Sequence, residues 1–241
     1  MSSSATEATS TTASSTSSTS SLAPDPEIVD SYAHRGVSNY PPSCEQPVEV
    51  VACGALAGHI REIAARRGWN LAVRPLPAAL HNRPQNIKSH SERALVAAQA
   101  NGARTVIAYA DCGTYGALDE LAAATGARRL PGLHCYDLYA GAAEIERLFA
   151  EEPGTYLLTD YLVKSFERAV IQPLGLDRYP HLWTDYFGHY TRLVWLAQGA
   201  TSELDEAAAA IARQFNLPLT RIDTGTTGLE AALAALLEEQ P

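Results

Sequence analysis

Arg104-Thr-Val-Ile-Ala-Tyr-Ala110 runs straight into Asp111-Cys-Gly-Thr-Tyr-Gly116. The first seven residues are the most strand-like run in the chain, with β-branched and aromatic side chains and a stop signal, Asn101-Gly102, just before them. The next six are turn chemistry with a thiol inside. From Ala117 to Ala124 the apolar spacing becomes helical, and it ends at Gly126. Strand, glycine-containing turn and helix in that order form the repeating unit of a parallel sheet.

The same succession extends both ways. Val48–Ala52 reads as a buried strand, followed by a helix over Ala57–Arg67 with Ile60, Ile63 and Ala64 on one face. Asn70–Leu76 is a second strand, and Ile87–Ala100 a helix with Ala94, Leu95 and Ala98 turned inward. Beyond Gly126 come a short strand at Ala127–Leu130, a helix at Ala142–Ala150 and a strand at Thr155–Thr159. After Asp160 the alternation loosens: Tyr161–Val170 and His189–Gln198 read as helices, joined by an aromatic-rich connection over Arg178–Phe187. It resumes with a helix at Glu203–Phe215, a strand at Leu219–Ile222 and a closing helix at Leu229–Leu237. The expected fold is α/β and doubly wound, a mostly parallel sheet with helices on both faces, forming a single domain over residues 47–241.

Residues 1–46 read differently. Sixteen of residues 2–21 are Ser or Thr, a composition that cannot bury enough apolar surface to offset the entropy of ordering it. No Arg or Lys precedes Arg35, which argues against a transit peptide. Five prolines between Leu22 and Pro47 suggest an extended linker, so a disordered N-terminal tail and linker are expected here. The chain has a formal net charge of -9, an unsuitable balance for binding nucleic acid electrostatically. No stretch approaches the roughly 20 apolar residues of a membrane span. Four cysteines in 241 residues are too few for a disulfide scaffold, so a cytoplasmic protein with free thiols is expected.

In an open α/β sheet the ligand crevice lies beyond the carboxyl ends of the strands. Here those ends carry Cys53-Gly54, Leu80-His81-Asn82-Arg83-Pro84, Asp111-Cys112-Gly113, His134-Cys135 and Thr159-Asp160. Three of the four cysteines therefore fall where strands meet loops. Thiolate with imidazole suits zinc, and ligands scattered over several strand ends point to a catalytic site more than to a stapled loop. The candidate metal ligands are Cys53, Cys112 and Cys135, with His81 or His134 as a fourth. An iron–sulfur cluster on the same thiols is the alternative cofactor, and buried packing or redox use of the thiols are the others. Asp111 and His134 are candidate catalytic residues, Asp111 as a general base or as the group orienting an imidazole. Asn82 and Arg83, beside a helix start at Pro84, are candidate substrate-binding residues for a carboxylate or phosphate, as is Asp160 for substrate. Thr224-Gly-Thr-Thr227 lacks the lysine of a P-loop and reads as a helix cap. The aromatic group from Tyr179 to Trp195 reads as core, with a lid over the site as the second reading.

Together, Ala-Cys53-Gly-Ala-Leu, Leu-His81-Asn-Arg-Pro, Tyr109-Ala-Asp-Cys112-Gly, the His134-Cys135 turn and Pro153-Gly-Thr-Tyr156 resemble the family catalogued as domain of unknown function 1638, over about Val50 to Gln198. Its members are often encoded near corrinoid-dependent methyltransferases. The resemblance thus implies one-carbon or methylamine-type metabolism, and a corrinoid or methyltransferase protein as partner. The corrinoid-binding Asp-x-His-x-x-Gly signature is absent, so no tightly bound cobalamin is expected. The overall expectation is a metal-dependent enzyme acting on a small one-carbon, thiol or amine substrate, or else a metal sensor or metallochaperone.

Overall fold

A computed structural model describes residues 47–238 of the chain. The tail and linker expected over residues 1–46, with Cys44, lie outside the described residues. The described chain is α/β throughout, and its strands pair in parallel.

The first half runs β1 (Val48–Cys53), α1 (Gly54–Arg67), β2 (Leu71–Leu76), two short 3-10 turns (Ala78–Asn82 and Pro84–Asn86), α2 (Ile87–Gln99), β3 (Thr105–Ala108), α3 (Ala117–Thr125) and β4 (Arg128–Arg129). Its four strands lie in the order β2-β1-β3-β4. From β1 the chain moves one way to β2, then crosses back to β3. Right-handed crossovers running in opposite directions put α1 and α2 on opposite faces. Both faces of β1 and β3 are therefore covered, which is why Val50, Val51, Val106 and Ile107 are all buried.

Two helices, α4 (Cys135–Ala140) and α5 (Ala142–Glu151), lead into the second half. There follow β5 (Thr155–Thr159), α6 (Asp160–Phe166) with a π-helical turn over Glu167–Ile171, a 3-10 turn (Pro180–Leu182), α7 (Trp183–Phe187), β6 (Arg192–Ala197), α8 (Ser202–Phe215), β7 (Leu219–Asp223) and α9 (Thr227–Glu238). The strands form a second sheet in the order β5-β6-β7. The expected parallel α/β architecture is present, with its strands divided between two sheets. The division falls at β4, where only two residues pair with β3 and both are arginines. Arg129 makes a two-pronged contact with Asp119, through Nε to Oδ1 at 2.5 Å and Nη2 to Oδ2 at 2.8 Å, so a charged pair closes that edge.

The sequence reading of His189–Gln198 as a helix does not hold, because Arg192–Ala197 is β6. Leu193, Trp195 and Ala197 join one core with α6 and α8, while Val194 and Leu196 join another with Ile145 and Leu148 of α5. A strand buried on both faces loses the alternation that would reveal it, and its apolar run imitates a buried helix.

The last helix does not stay with the second sheet. Leu229, Leu233 and Leu236 of α9 enter the core of the first sheet beside Leu138 and Tyr139 of α4. A Cβ added at Gly228 would stand 2.5 Å from the Leu138 carbonyl oxygen, so α9 reaches that position only with glycine there. Among the described residues no helix is long and apolar enough to cross a membrane.

Candidate functional site

Since the strand order reverses at β1, the loops leaving β1 and β3 diverge at their carboxyl ends, the place where open α/β sheets form a ligand crevice. Cys53 closes β1 and stands at the N-cap of α1. Cys112 follows β3, Cys135 opens α4 after β4, and His81 sits in the 3-10 turn after β2. Gly54 is needed for this convergence. A Cβ there would lie 2.7 Å from the Leu76 carbonyl oxygen, so the chain ending β2 can pass over the start of α1 only because that backbone is bare.

The Cys53 sulfur is 4.0 Å from both ring nitrogens of His81. His81 Nδ1 lies 3.0 Å from the Ala78 carbonyl, and since a carbonyl only accepts, the ring proton belongs on Nδ1 and the Nε2 lone pair remains for the crevice. Burial alone would lower the His81 pKa; its hydrogen bond and Coulombic attraction to Cys112, with the Ala78 bond, outweigh that and raise it. The ring stacks on Tyr109, 21° from parallel with centroids 6.1 Å apart. The Tyr109 side chain acts electrostatically on the Cys53 thiol in turn. Burial pushes that thiol up to about 11, although the N–H groups of Ala55 and Leu56 at the helix start and the Tyr109 hydroxyl pull the other way. The Cys135 thiol is raised well above its ordinary value, first by burial and then by the proximity of Cys53 and Cys112. Cys53, Cys112, Cys135 and His81 thus act on one another electrostatically.

The loop from Asp111 to Gly116 is strained and firmly held. Cys112 and Tyr115 adopt φ of 51°, and Gly113 and Gly116 lie at 81° and 86°, all in the left-handed region. For the two non-glycines that conformation costs roughly 1 kcal/mol or more each. Asp111 compensates: its carboxylate accepts from the N–H groups of Gly113, Tyr115 and Gly116 and from the Thr114 hydroxyl, at 2.8–3.1 Å. Burial raises its pKa, but those four bonds prevail and hold it below the usual carboxylate range. This is a residue fixing the backbone that presents Cys112, with its oxygens already occupied.

The other expected residues separate. The His134 side chain is exposed, stacked on Tyr136, at the N-cap of α4; its backbone N–H, with that of Leu133, donates to Asp137. Of the two imidazoles, His81 is therefore the one beside the thiols. Asn82 and Arg83 are exposed at the rim, and Pro84 starts the 3-10 turn that leads into α2, packed against Gly113. Asp160 is 2% exposed and braces the ends of β5 and β6. It accepts from Trp195 Nε1 at 2.9 Å and from the N–H groups of Gln198 and Gly199 at 3.2 and 2.8 Å.

Sequence reasoning passed over several neighbours. Tyr109 read as strand filling; an aromatic two residues before Asp111-Cys112 was the available signal. His59 of α1 and Tyr139 of α4 hydrogen-bond at 2.8 Å, and Tyr139 is within electrostatic reach of Cys135, Cys53 and Asp160. Burial lowers the His59 pKa against the pull of Glu62 and Asp160. Tyr136 is within electrostatic reach of Cys135, Tyr156, Cys112 and Tyr190.

Among the described residues no three His, Cys, Asp or Glu side chains stand in a ready-made metal-ligand arrangement. Comparisons with curated proteins and with solved structures found no match. Residues 75–233, more than half of the chain and including His81, Cys112 and Cys135, match the model of the family described as Protein of unknown function (DUF1638), and the chain belongs to that family.

Proposed function

We propose that the crevice beyond β1 and β3 is a thiolate metal centre, binding zinc through Cys53, Cys112 and Cys135 with His81 beside them, and acting on a small one-carbon, thiol or amine substrate. The observation that carries this reading is the Cys53 sulfur 4.0 Å from the His81 ring, with Cys112 and Cys135 within electrostatic reach, all four residues following different strands. Two ligands of a tetrahedral zinc, one sulfur and one nitrogen, stand about 3.6 Å apart, given bonds of about 2.3 and 2.1 Å. The Cys53 sulfur stands 4.0 Å from both ring nitrogens of His81, so the ring must turn towards the thiols before Nε2 and that sulfur share a metal. The bond from His81 Nδ1 to Ala78 is the usual outer contact of a ligating histidine, which fixes the tautomer and leaves Nε2 to the metal.

Zinc in that crevice would supply a Lewis acid that lowers the pKa of a bound water or thiol. The protein's own part is threefold. The N–H groups of Ala55 and Leu56 at the start of α1 favour the anionic form of Cys53. The Asp111 loop fixes the Cys112 backbone, and Arg83 at the rim is suited to an anionic group on the substrate. If His81 orients Cys112 without binding metal, a fourth position stays open to substrate, as catalysis requires. If His81 binds directly, the site closes, and the second reading applies: a sensor or metallochaperone. The family resemblance favours methyl-group metabolism, with a corrinoid or methyltransferase protein as partner.

The test is elemental analysis of full-length protein purified without a metal-affinity column. Close to one zinc per chain and no visible absorbance support the reading. Several irons with a broad visible band would support an iron–sulfur cluster instead. A metal-free chain from metal-replete cells would reject both.

A further inference from the structure

A second feature is lined by Tyr136, the residue that follows Cys135. Tyr136, Phe149, Thr155, Tyr156, His189 and Tyr190 contribute to a cavity of about 330 Å³, near the lower end of the range for small-ligand sites. Tyr156 and Tyr190 meet at 82° with centroids 5.0 Å apart, so their planes form a corner. Behind that corner Tyr156 is wedged against Phe166, Phe187 and Phe215, which fixes its ring. His189 lies against Tyr190 with centroids 4.4 Å apart and is exposed at the mouth.

No Lys, Arg, Asp or Glu lines the cavity. Phosphates and carboxylates would find no cationic side chain there. A small, strongly hydrated ammonium would find no carboxylate to replace its water. Ring faces and neutral phenols do suit a bulky, weakly hydrated cation, which is attracted to the π face without a counter-charge. Burial raises the phenol pKa values of Tyr136, Tyr156 and Tyr190, so these walls stay uncharged in neutral solution. The chain's net charge of -9 favours the approach of a cation.

We infer that this cavity is an aromatic cage for a methylated ammonium group, holding the amine substrate of the thiol centre whose Cys135 adjoins Tyr136 in the chain. The inference deepens the proposed function by naming its substrate class, and it rests on that reading for what happens to the ligand, though not for its binding.

The test is calorimetric titration of full-length protein with choline and with 3,3-dimethylbutan-1-ol, its uncharged carbon isostere. Choline is expected to bind at least about fivefold more tightly, since only the cation gains from the ring faces. Tyr190→Phe should keep that preference and Tyr190→Leu should lose most of it, with zinc content equal in all three proteins. Equal affinity for the two ligands, or no saturable binding of either, would overturn the cage; both readouts come from the unaltered chain. Choline preference in a metal-free chain would uphold the cage and reject the metal reading. A zinc-loaded chain without that preference would do the reverse.

Discussion

The carboxyl edges of the two sheets end in opposite chemistry. At the second sheet, Asp160 is buried and accepts three hydrogen bonds, while its own N–H donates to Gln198 Oε1 at 2.9 Å. At the first sheet, the thiols of Cys53 and Cys135 are pushed towards their neutral forms by burial, and thiols are weak hydrogen-bonding groups. A buried carboxylate without partners would be prohibitive, so the charge at the second edge is tightly committed and serves the fold. A neutral thiol costs little to leave loosely satisfied. The first edge therefore keeps soft, available donors where the second keeps a finished brace.

The largest effect on stability should come from the brace. Asp160→Ala strands the Trp195 indole N–H and two backbone N–H groups, and should cost about 3–5 kcal/mol in urea unfolding. A loss below about 1 kcal/mol would show that the second edge is no more committed than the first.

Next is alkaline pH. The Cys53 thiol has an ordinary value of 9.0 and is raised to about 11 by burial in the native state. The native protein therefore holds a proton that the unfolded chain releases. This contribution is complete below pH 9 and is lost as pH rises towards 11, on the order of 2–3 kcal/mol for the metal-free protein. Unfolding midpoints measured over that window should fall, and Cys53→Ala should flatten the decline.

Asp111→Ala should cost less, about 1–3 kcal/mol, because the loop is partly exposed and water replaces some of the lost bonds. With the left-handed conformations of Cys112 and Tyr115 no longer supported, zinc retention should drop in the same variant. Unchanged zinc would separate the loop from the site. Cys112→Ser should have the smallest effect on the metal-free fold, under about 1 kcal/mol. If the first edge holds zinc as proposed, the same substitution should nevertheless remove most of it, since a neutral hydroxyl would replace a soft anionic ligand. Calorimetry together with metal analysis reads both halves of that expectation.

The alternation of elements was legible wherever helices kept one wet face and strands had clear turn signals, as from Val48 to Leu130. It failed at Arg192–Ala197, where burial on both sides erases the period, and at Cys135–Ala140, a helix too short to show one. The division into two sheets depends on which strands pair, which is tertiary information that no local pattern carries. The thiols were visible because cysteine beside glycine at a strand end is uncommon. The choice of His81 over His134 was not, because both precede helical turns, and only packing decides which ring turns inward. Tyr109, Tyr136 and the cavity were hidden by the ordinary use of aromatics as filling.

The return of α9 to the core of the first sheet has a consequence for how the protein is made. The apolar surface of the first sheet that α9 covers is synthesised at the start of the domain, and its cover comes last. At usual elongation rates the two are separated by on the order of ten seconds or more. During that interval the nascent first sheet lacks Leu229, Leu233 and Leu236 and cannot complete its hydrophobic core. Cys53, Cys112 and Cys135 all emerge before that closure.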